Sequence, residues 1–371
     1  MQKDKTAWIA FLGNPHLDSR VTNLTSSLEE KGYSIRVTSF DFQQKNFQPV
    51  KGSISIFPLE RKKSSFLFYL NFALILCREL RKSSACIYFA EDIYTLPFVV
   101  FYAVLKKAKV IYNCRELFSS LWGRQRRKFS LFILKSVERI FIRKCSLVLT
   151  AGELDTHYIE KTYSLSNVIT LRNTPAYTIP ANIPNLRTAL NIPAGKTILL
   201  YQGVVASGSG ITKIFKALAE IPEAALLILG DGLQKNSFCS AAEELGISDR
   251  VYFYGMVNHN ELLNYTAAAD IGLALIENIS FNYYYALPNR LFEYIMAGVP
   301  VIASSLPQMK EIIDKYKTGV CIDAEKEEEV ISAIKSMIAS PFELKSYKEN
   351  CFEAAKELNW QIEFGKLSGY L

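Results

Sequence analysis

The sequence predicts an α/β protein of two domains, each built on a parallel sheet with helices on both faces. The chain has 371 residues, which is too long for one ordinary hydrophobic core. Strand-like and helix-like segments alternate along its whole length, as is typical of parallel sheets. Residues 174–195 hold four prolines without a sustained period, which indicates a linker between the domains.

The first half of the chain contains apolar, β-branched segments that predict seven short strands. These strands are expected at residues 8–12, 35–40, 54–57, 86–89, 110–112, 147–150 and 168–171. Asp18 or Ser19 caps the first predicted helix, which ends at Lys31 before Gly32. The other predicted helices cover residues 61–82, 95–107, 126–144 and 153–163.

The second half repeats the alternation with six predicted strands. They are expected at residues 197–201, 225–229, 251–254, 271–276, 299–303 and 319–322. Helices are predicted over residues 289–297 and 325–338, and over an amphipathic tail at 344–371. The domain boundaries expected from the whole pattern are 1–175, a linker at 176–195, a second domain at 196–354 and a final helix at 355–371.

Charge is divided unevenly between the two halves. Residues 1–175 contain 27 Lys and Arg against 14 Asp and Glu, which gives +13, whereas the remainder has a net charge of −6. Such asymmetry suggests that the first domain faces an anionic partner, either nucleic acid or an anionic membrane. Basic residues 61–63 and 124–128 each precede an aromatic-rich helix, a pattern that suits a bilayer surface. The alternative is an aromatic core with a solvated basic rim. Nucleic acid is disfavoured because no recognised binding module accompanies the charge.

The cysteines, histidines and apolar runs exclude several classes of protein. Seven scattered cysteines without a close pair indicate reduced thiols in a cytosolic compartment. The three histidines are far apart in sequence, so we expect no metal site. Residues 6–13 predict a first strand and not a signal peptide. The longest apolar run, at residues 66–77, is about half of what a bilayer span requires, so no transmembrane helix is expected.

The segment at residues 283–304 is the most informative stretch, because a polar, aromatic loop is followed by a helix that ends at Gly298 and by a strand. Pro288 suits the first position of that helix. The loop is then expected at the carboxyl edge of the sheet, where α/β folds bind ligands. A helix N-terminus and Arg290 suit a phosphate, and Glu293 one turn later suits a ribose diol. The alternative is an ordinary capped helix with solvated side chains.

Three glycine-containing loops follow strands of the second domain. Glycine at such points permits positive φ or close approach of backbone to a ligand, although each loop alone is explained as a tight turn. The first loop is not a dinucleotide fingerprint, because Lys213 occupies the third glycine position. The glycines are Gly203, Gly208 and Gly210 in the first loop, Gly230 and Gly232 in the second, and Gly255 in the third.

The second domain resembles the donor-binding half of GT-B glycosyltransferases, and is most similar to glycosyltransferase family 4 of bacterial capsule and surface-polysaccharide assembly. The similarity runs through LLYQGVV, LLILGDG, VYFYGMV and ALPNRLFEYIMAGVPVIAS, and covers nearly the whole chain more loosely. It implies two Rossmann-like doubly wound domains that face a cleft, with a final helix that crosses back to the first domain. It also implies a retaining transfer from a nucleotide-diphosphate sugar, used as a co-substrate without a cofactor, to a lipid-linked or glycan acceptor.

The resemblance also implies roles for individual residues. The catalytic candidates are Arg290, Glu293 and Asp92. The donor-binding candidates are the six glycines named above together with Lys213, Met256, Asn289, Arg290, Leu291 and Glu293. The candidates on the acceptor side are Gly13, Asp18, Arg20, Glu91, Asp92 and Arg115. No Asp-x-Asp motif is present, so we expect no metal requirement.

Several positions depart from the family pattern. The first of the family's two glutamates falls at Tyr285, where Asn289 or Glu277 is the candidate substitute. The usual diphosphate cations are missing from the first glycine loop, which leaves Arg290 first and Lys213 second. Two frequent histidines of the first domain are replaced by Glu91 and Arg115, so no catalytic histidine is identified.

These departures keep three rival functions open. The loss at Tyr285 favours a non-catalytic sugar-nucleotide-binding or scaffold protein. A sugar-nucleotide epimerase on the same fold is disfavoured because no clear set of catalytic carboxylates and histidine is evident. A two-domain dehydrogenase is disfavoured by the missing dinucleotide fingerprint.

Overall fold

The structure is a computed structural model that describes residues 5–42, 53–60, 65–115, 117 and 128–371. The chain divides into two compact units. Unit 1 comprises Met1–Asn173 together with Phe364–Leu371, and unit 2 comprises Thr174–Glu363. The segment predicted as a linker, residues 176–195, therefore groups with unit 2, where it contains a short helix.

Unit 1 is built on a parallel sheet of seven strands in the order β3-β2-β1-β4-β5-β6-β7. All of the pairings within it are parallel. The strands are β1 Thr6–Phe11, β2 Ser34–Asp41, β3 Ile54–Pro58, β4 Ile87–Ala90, β5 Lys109–Cys114, β6 Leu147–Thr150 and β7 Val168–Thr170.

Within the described residues of unit 1, five α-helices lie between these strands. They are α1 Ser19–Glu30, α2 Ser65–Lys82, α3 Leu96–Leu105, α4 Lys128–Ile142 and α5 Glu153–Tyr163. Asp18 is the N-cap of α1, as predicted, and its Oδ1 accepts from the backbone N–H of Val21 at 2.9 Å. The basic residues 61–63 and 124–127 lie outside the described part of the chain.

Unit 2 contains a parallel sheet of six strands in the order β10-β9-β8-β11-β12-β13. The strands are β8 Thr197–Gln202, β9 Ala224–Leu229, β10 Val251–Gly255, β11 Ile271–Ala274, β12 Val301–Ser304 and β13 Gly319–Ile322. Most of their residues are buried, since helices cover both faces.

The helices of unit 2 surround two hydrophobic clusters, one on each face of its sheet. The helices are α6 Leu186–Ala189, α7 Ile211–Ala219, α8 Lys235–Glu244, α9 His259–Thr266, α10 Phe281–Tyr284, α11 Asn289–Met296, α12 Pro307–Tyr316, α13 Glu327–Ala339 and α14 Pro341–Ala355. A last helix, α15 Trp360–Gly365, begins in unit 2 and ends in the part of the chain that groups with unit 1. Unit 2 therefore has the doubly wound architecture that the alternation predicted.

Two details of the predicted helices need correction. Pro288 is the N-cap of α11 and not its first residue, because its ψ of 144° is extended. The predicted amphipathic tail is two helices, α14 and α15, separated at residues 356–359. Residues 364–371 group with unit 1, where the Lys109 ammonium donates to the carbonyl of Tyr370 at 2.9 Å.

Both sheets have a point at which the strand order reverses. It lies between β1 and β4 in unit 1, and between β8 and β11 in unit 2. In open α/β sheets a crevice forms at this point outside the carboxyl ends of the strands. The loops that follow these four strands, together with the helices that come next, contain most of the predicted site residues.

Candidate functional site

Arg290 lies in the first turn of α11 and is held at the reversal point of the unit 2 sheet. Its guanidinium lies over the ring of Tyr201, 4.8 Å from the ring centroid. Nη2 donates to the carbonyl of Leu275 at 2.8 Å, and Nη1 donates to the Tyr201 hydroxyl at 3.2 Å. Its Nε is buried without a hydrogen-bond partner among the described residues. The cation is therefore fixed between the ends of β8 and β11.

Glu293 lies one turn further along α11 and points toward the end of β8. Its Oε2 accepts a hydrogen bond from Nε2 of Gln202, and Oε1 of Gln202 accepts from the Thr266 hydroxyl at 2.6 Å. Burial raises the pKa of the Glu293 carboxyl to about 7, although Gln202 and Arg290 act in the opposite direction. A desolvated carboxylate of this kind gains from hydroxyl donors, such as those of a ribose.

The first glycine loop passes directly beside Arg290. A Cβ on Gly203 would lie 3.5 Å from Nη1 of Arg290. Gly210, with a φ of 76°, is the N-cap of α7, and a Cβ there would lie 2.6 Å from Cβ of Leu275. Gly208 is covered by the aromatic loop, since a Cβ there would lie 2.8 Å from Cδ1 of Ile279. Small residues thus allow the loop to pack tightly against the end of β11.

The second glycine loop needs glycine because it packs directly against the backbone of the first glycine loop. A Cβ on Gly230 would lie 1.8 Å from the carbonyl oxygen of Gly203, and one on Gly232 would lie 2.2 Å from that of Val205. Gly255 has open space around it, and the neighbouring Met256 is exposed. Gly230 and Gly232 therefore hold the first loop in position.

Three other predicted donor residues have different surroundings. The side chain of Leu291 is fully buried in the core, so any contact with a ligand is restricted to its backbone. The Lys213 ammonium donates to the carbonyl of Glu325 at 2.9 Å, at the end of β13. Asn289 is exposed at the start of α11. Arg290 is thus the cation that lies at the reversal point itself.

Unit 1 brings the predicted acceptor-side residues together at its own reversal point. Arg115 forms ion pairs with Asp18 and with Glu91, which is fully buried. Asn113 donates to Glu91 at 2.9 Å and accepts from Arg20 at 2.8 Å. Burial favours the neutral form of Arg115, but the two neighbouring carboxylates raise its pKa above the usual value. The arrangement is a connected polar network.

Asp92 is engaged mainly with backbone groups. Its Oδ1 accepts from the N–H groups of Tyr94 and Thr95, both at 2.8 Å, and its Oδ2 accepts from Leu12 at 2.8 Å. Burial raises its pKa, and these hydrogen bonds act in the opposite direction. Asp92 therefore joins the loops after β1 and β4. Gly13 lets the Phe11 ring approach, since a Cβ there would lie 2.4 Å from it.

Sequence reasoning missed Gln202, Thr266, Tyr201 and Asn113. Gln202 and Asn113 are polar residues on buried strands, which is an unusual placement that could have identified them. Tyr201 and Thr266 could not be identified in this way, because their roles depend on which strands and helices become neighbours.

Residues 182–357 match the family model for glycosyl transferases group 1. Alpha-monoglucosyldiacylglycerol synthase of Streptococcus pneumoniae is 28% identical over 43% of this chain and 36% of that protein. A putative teichuronic acid biosynthesis glycosyltransferase of Bacillus subtilis is 23% identical over 88% of this chain and 85% of that protein. Among the curated relatives, three are covered over only 36% to 43% of their length.

Solved structures share the fold over nearly the whole chain. Sucrose-phosphate synthase from Thermosynechococcus elongatus superposes with a TM-score of 0.79 at 18% identity, over 99% of this chain and 98% of that one. Anabaena HepE in complex with UDP-glucose superposes with a TM-score of 0.73 at 16% identity, over 98% of this chain and 99% of that one. The chain therefore has the two-domain GT-B fold.

Proposed function

We propose that this chain, which has the GT-B fold and matches the family model for glycosyl transferases group 1 over residues 182–357, is a retaining glycosyltransferase of bacterial surface-glycan synthesis. It would move a sugar from a nucleotide-sugar to a lipid-linked or polysaccharide acceptor. The main supporting observation is that Arg290 and Glu293, one turn apart on α11, both contact Gln202 at the end of β8, at the β8–β11 reversal point. Arg290 also lies beside the first glycine loop.

The donor would bind along the carboxyl edge of the unit 2 sheet. Glu293 would accept hydrogen bonds from the ribose, while Arg290 and the N-terminal N–H groups of α7 would face the diphosphate. The HepE structures that hold UDP or UDP-glucose have the same fold, which supports a nucleotide-sugar as the ligand class.

The chemistry would consist of one group transfer. The bond between the sugar C1 and the diphosphate oxygen breaks, and C1 forms a bond to the acceptor oxygen on the same face of the ring. The leaving phosphate takes the acceptor proton. Arg290 and backbone N–H groups stabilise the charge that develops on the diphosphate, so the step would proceed without a divalent metal. Transfer that persists in excess EDTA would support this part.

Unit 1 would bind the acceptor. A cavity of about 230 Å³ lies at the ends of β1 and β2, with Phe11, Gly13, Asp18 and Phe40 in its wall. The half-buried ring of Phe11 beside the Asp18 carboxylate suits a sugar, because an aromatic ring packs on the C–H face of a sugar and a carboxylate accepts from its hydroxyls. Phe40 is fully buried and contributes only to the base of the cavity. Relatives named for glycolipid and teichuronic acid synthesis support a lipid-linked or glycan acceptor.

Unit 1 also presents an exposed apolar face, which supports a peripheral position on an anionic membrane at the cytoplasmic side. Helix α3 packs between α2 and α4, and all three expose large apolar side chains. Phe66 on α2 is 72% exposed and Phe132 on α4 is 69% exposed. Among the described residues, no helix has the length and apolar character that crossing a membrane requires. A surface position would therefore depend on this face and on the basic residues of unit 1.

A thermal-shift screen against nucleoside diphosphates and their sugars tests the proposed function. A bound ligand raises the melting temperature by mass action, so one nucleoside diphosphate is expected to stabilise the protein and its sugar form to stabilise it further. Donor turnover in the presence of a membrane extract would then distinguish an enzyme from a binding protein. If none of the tested nucleotides raises the melting temperature, the proposal is contradicted.

Tyr285 favours one alternative, a non-catalytic sugar-nucleotide-binding protein. This tyrosine stands where the family has the first of its two glutamates. The alternative predicts nucleotide-sugar binding without hydrolysis or transfer of the sugar, whichever acceptor is supplied. A radiolabelled donor whose sugar moves into a lipid or polysaccharide fraction would exclude it.

A further inference from the structure

A second cavity lies next to the Arg290 site, at the carboxyl ends of β11, β12 and β13. Its volume is about 440 Å³. The polar part of its wall consists of Asn278, Tyr284, Ser304, Ser305, Asp323 and Glu325. The rest of the wall is apolar, and none of the described residues that line it is Lys or Arg.

The backbone joins this cavity directly to the proposed donor site. Arg290 donates to the carbonyl of Leu275, and the next residue, Ile276, lines the cavity. The N–H of Glu277 donates to the carbonyl of Gly208 at 3.2 Å, and that of Asn278 donates to Oε1 of Glu325 at 3.0 Å. Because neighbouring strands lie about 5 Å apart, a group attached to a diphosphate at Arg290 reaches the cavity within one or two strand spacings.

The wall has the chemistry of a site for uncharged sugar. Asp323 and Glu325 accept hydrogen bonds from hydroxyl groups, and such bonds to charged acceptors are strong. The ring of Tyr284 is 41% exposed and offers an apolar surface for sugar C–H groups. A sugar carboxylate would meet two like charges in the wall, which disfavours its binding. Lys326 lies outside the wall and forms ion pairs with Asp323 at 3.6 Å and with Glu329 at 2.8 Å.

The neighbouring Tyr285 supports the loop that forms one side of the cavity. Its ring packs against Phe281 with a centroid separation of 4.4 Å, and its carbonyl accepts from Nε2 of Gln308. The position that holds a glutamate in the resembled family is therefore occupied here by an aromatic scaffold residue. Glu325, which follows β13, reaches this loop, since its Oε1 accepts from the N–H of Asn278.

We propose that this cavity binds the donor sugar, that Glu325 and Asp323 accept its hydroxyls in place of the missing glutamate, and that it selects neutral sugars over acidic ones. The inference rests on the proposed function, because it requires a nucleotide diphosphate at Arg290. Neither Asn289 nor Glu277 is then needed as the substitute for the missing glutamate.

Calorimetry with full-length protein tests the proposal. The titrants are UDP, GDP, ADP and dTDP, each with its glucose form, and UDP with its glucuronate form. For the nucleotide that binds, the glucose form should bind several-fold more tightly than the bare diphosphate. If that nucleotide is UDP, UDP-glucuronate should bind at least tenfold more weakly than UDP-glucose. If a nucleotide with another base binds, the glucuronate form of that nucleotide is used in place of UDP-glucuronate.

The variant Glu325→Gln keeps an acceptor for the N–H of Asn278 but removes the charge. It should bind the glucose form about fivefold to tenfold more weakly and bind the bare diphosphate as the wild type does. The ratio of its affinities for the glucose and glucuronate forms should be smaller than that of the wild type. Glu328→Gln is the matched control, since Glu328 is exposed in the first turn of α13 and outside the cavity. It should bind all ligands as the wild type does.

The outcomes separate the two proposals. If none of the four diphosphates binds, both the nucleotide site and this inference are overturned. If a diphosphate binds but Glu325→Gln and the wild type bind its glucose and glucuronate forms equally, the inference alone is overturned. A selective loss for the glucose form, with the diphosphate unaffected, supports it and excludes general misfolding of the variant.

Discussion

At the scale of single residues, the proposed donor site contains two charged groups, Arg290 and Glu293, that contacts within the protein already hold in place. Arg290 is fixed by Tyr201 and the carbonyl of Leu275 before any ligand arrives. Glu293 has one amide partner, Gln202, and a raised pKa. Groups held in this way lose little conformational freedom on binding, which makes them suitable for recognition of a diphosphate and a ribose.

Glu293 should make nucleotide binding depend on pH. Its pKa of about 7 means that the protonated form grows as the pH falls from 8 to 6. Only the ionised form accepts fully from a ribose diol, so affinity should fall about tenfold over that range. Calorimetry with the nucleoside, which has no titrating phosphate, measures this effect. Glu293→Gln should show a flat profile, and a profile as steep as that of the wild type would exclude Glu293 as the cause.

Removal of the Glu293 side chain measures how much the same contact contributes to the binding free energy. Glu293→Ala should weaken nucleoside diphosphate binding by roughly 1–3 kcal/mol, the range for hydrogen bonds to charged groups. The measurement is calorimetry at pH 8, where the carboxylate is ionised. Unchanged affinity in a folded variant would remove Glu293 from the ribose site.

Arg290 should distinguish a diphosphate from a nucleoside. Arg290→Ala should lose more affinity for the diphosphate, because only that ligand has the charge that the guanidinium neutralises. Arg290→Lys should recover part of the loss, since an ammonium lacks the planar geometry of the guanidinium. Calorimetry with both ligands measures the difference. An equal loss for both would indicate that Arg290 only supports the ends of β8 and β11.

At the scale of elements, the sequence predicted the strands more fully than the site. Buried strands such as β6 have a clear apolar pattern, and β6 was predicted with its observed bounds. Pro288 was predicted as the first helical residue but is the N-cap, since a φ near −70° suits both positions. Thr266 was missed because its contact with Gln202 spans 64 residues and depends on the strand order.

The glycine loops give an element-scale prediction about stability. Gly230→Ala would place a Cβ 1.8 Å from the carbonyl of Gly203, so the two loops must separate. We expect a loss of more than roughly 2 kcal/mol in the free energy of unfolding, measured by chemical denaturation. Gly195→Ala is the control, because nothing lies within 4 Å of that position. Equal stability of the two variants would contradict the packing role of Gly230.

At the scale of the whole molecule, charge and apolar exposure coincide in unit 1. Residues 1–175 have a net charge of +13, and α2, α3 and α4 expose large apolar side chains. Basic residues near an anionic surface contribute about 1 kcal/mol each, and the apolar side chains add their transfer into the interface. The basic clusters at 61–63 and 124–127 stay a prediction from the sequence, since they lie outside the described residues.

The protein should co-sediment with vesicles of anionic lipid and much less with neutral vesicles. Salt should weaken the binding, because it screens the basic residues. Phe66→Ser with Leu70→Ser and Leu74→Ser should reduce binding several-fold, whereas Leu233→Ser on unit 2, at a position 106% exposed, should not. Replacement of the basic cluster by Gln should also reduce vesicle binding. The cluster consists of Arg124, Arg126, Arg127 and Lys128. If the wild-type protein does not bind anionic vesicles at low salt, the membrane proposal is contradicted.

The most direct test of the proposed donor site is a crystal structure with the nucleoside diphosphate that stabilises the protein best. We expect a ribose hydroxyl within hydrogen-bond distance of Glu293, about 2.5–3.0 Å, and the diphosphate beside Arg290 and the start of α7. A nucleotide bound elsewhere in unit 2, or in unit 1, with Glu293 still paired only to Gln202, would contradict it.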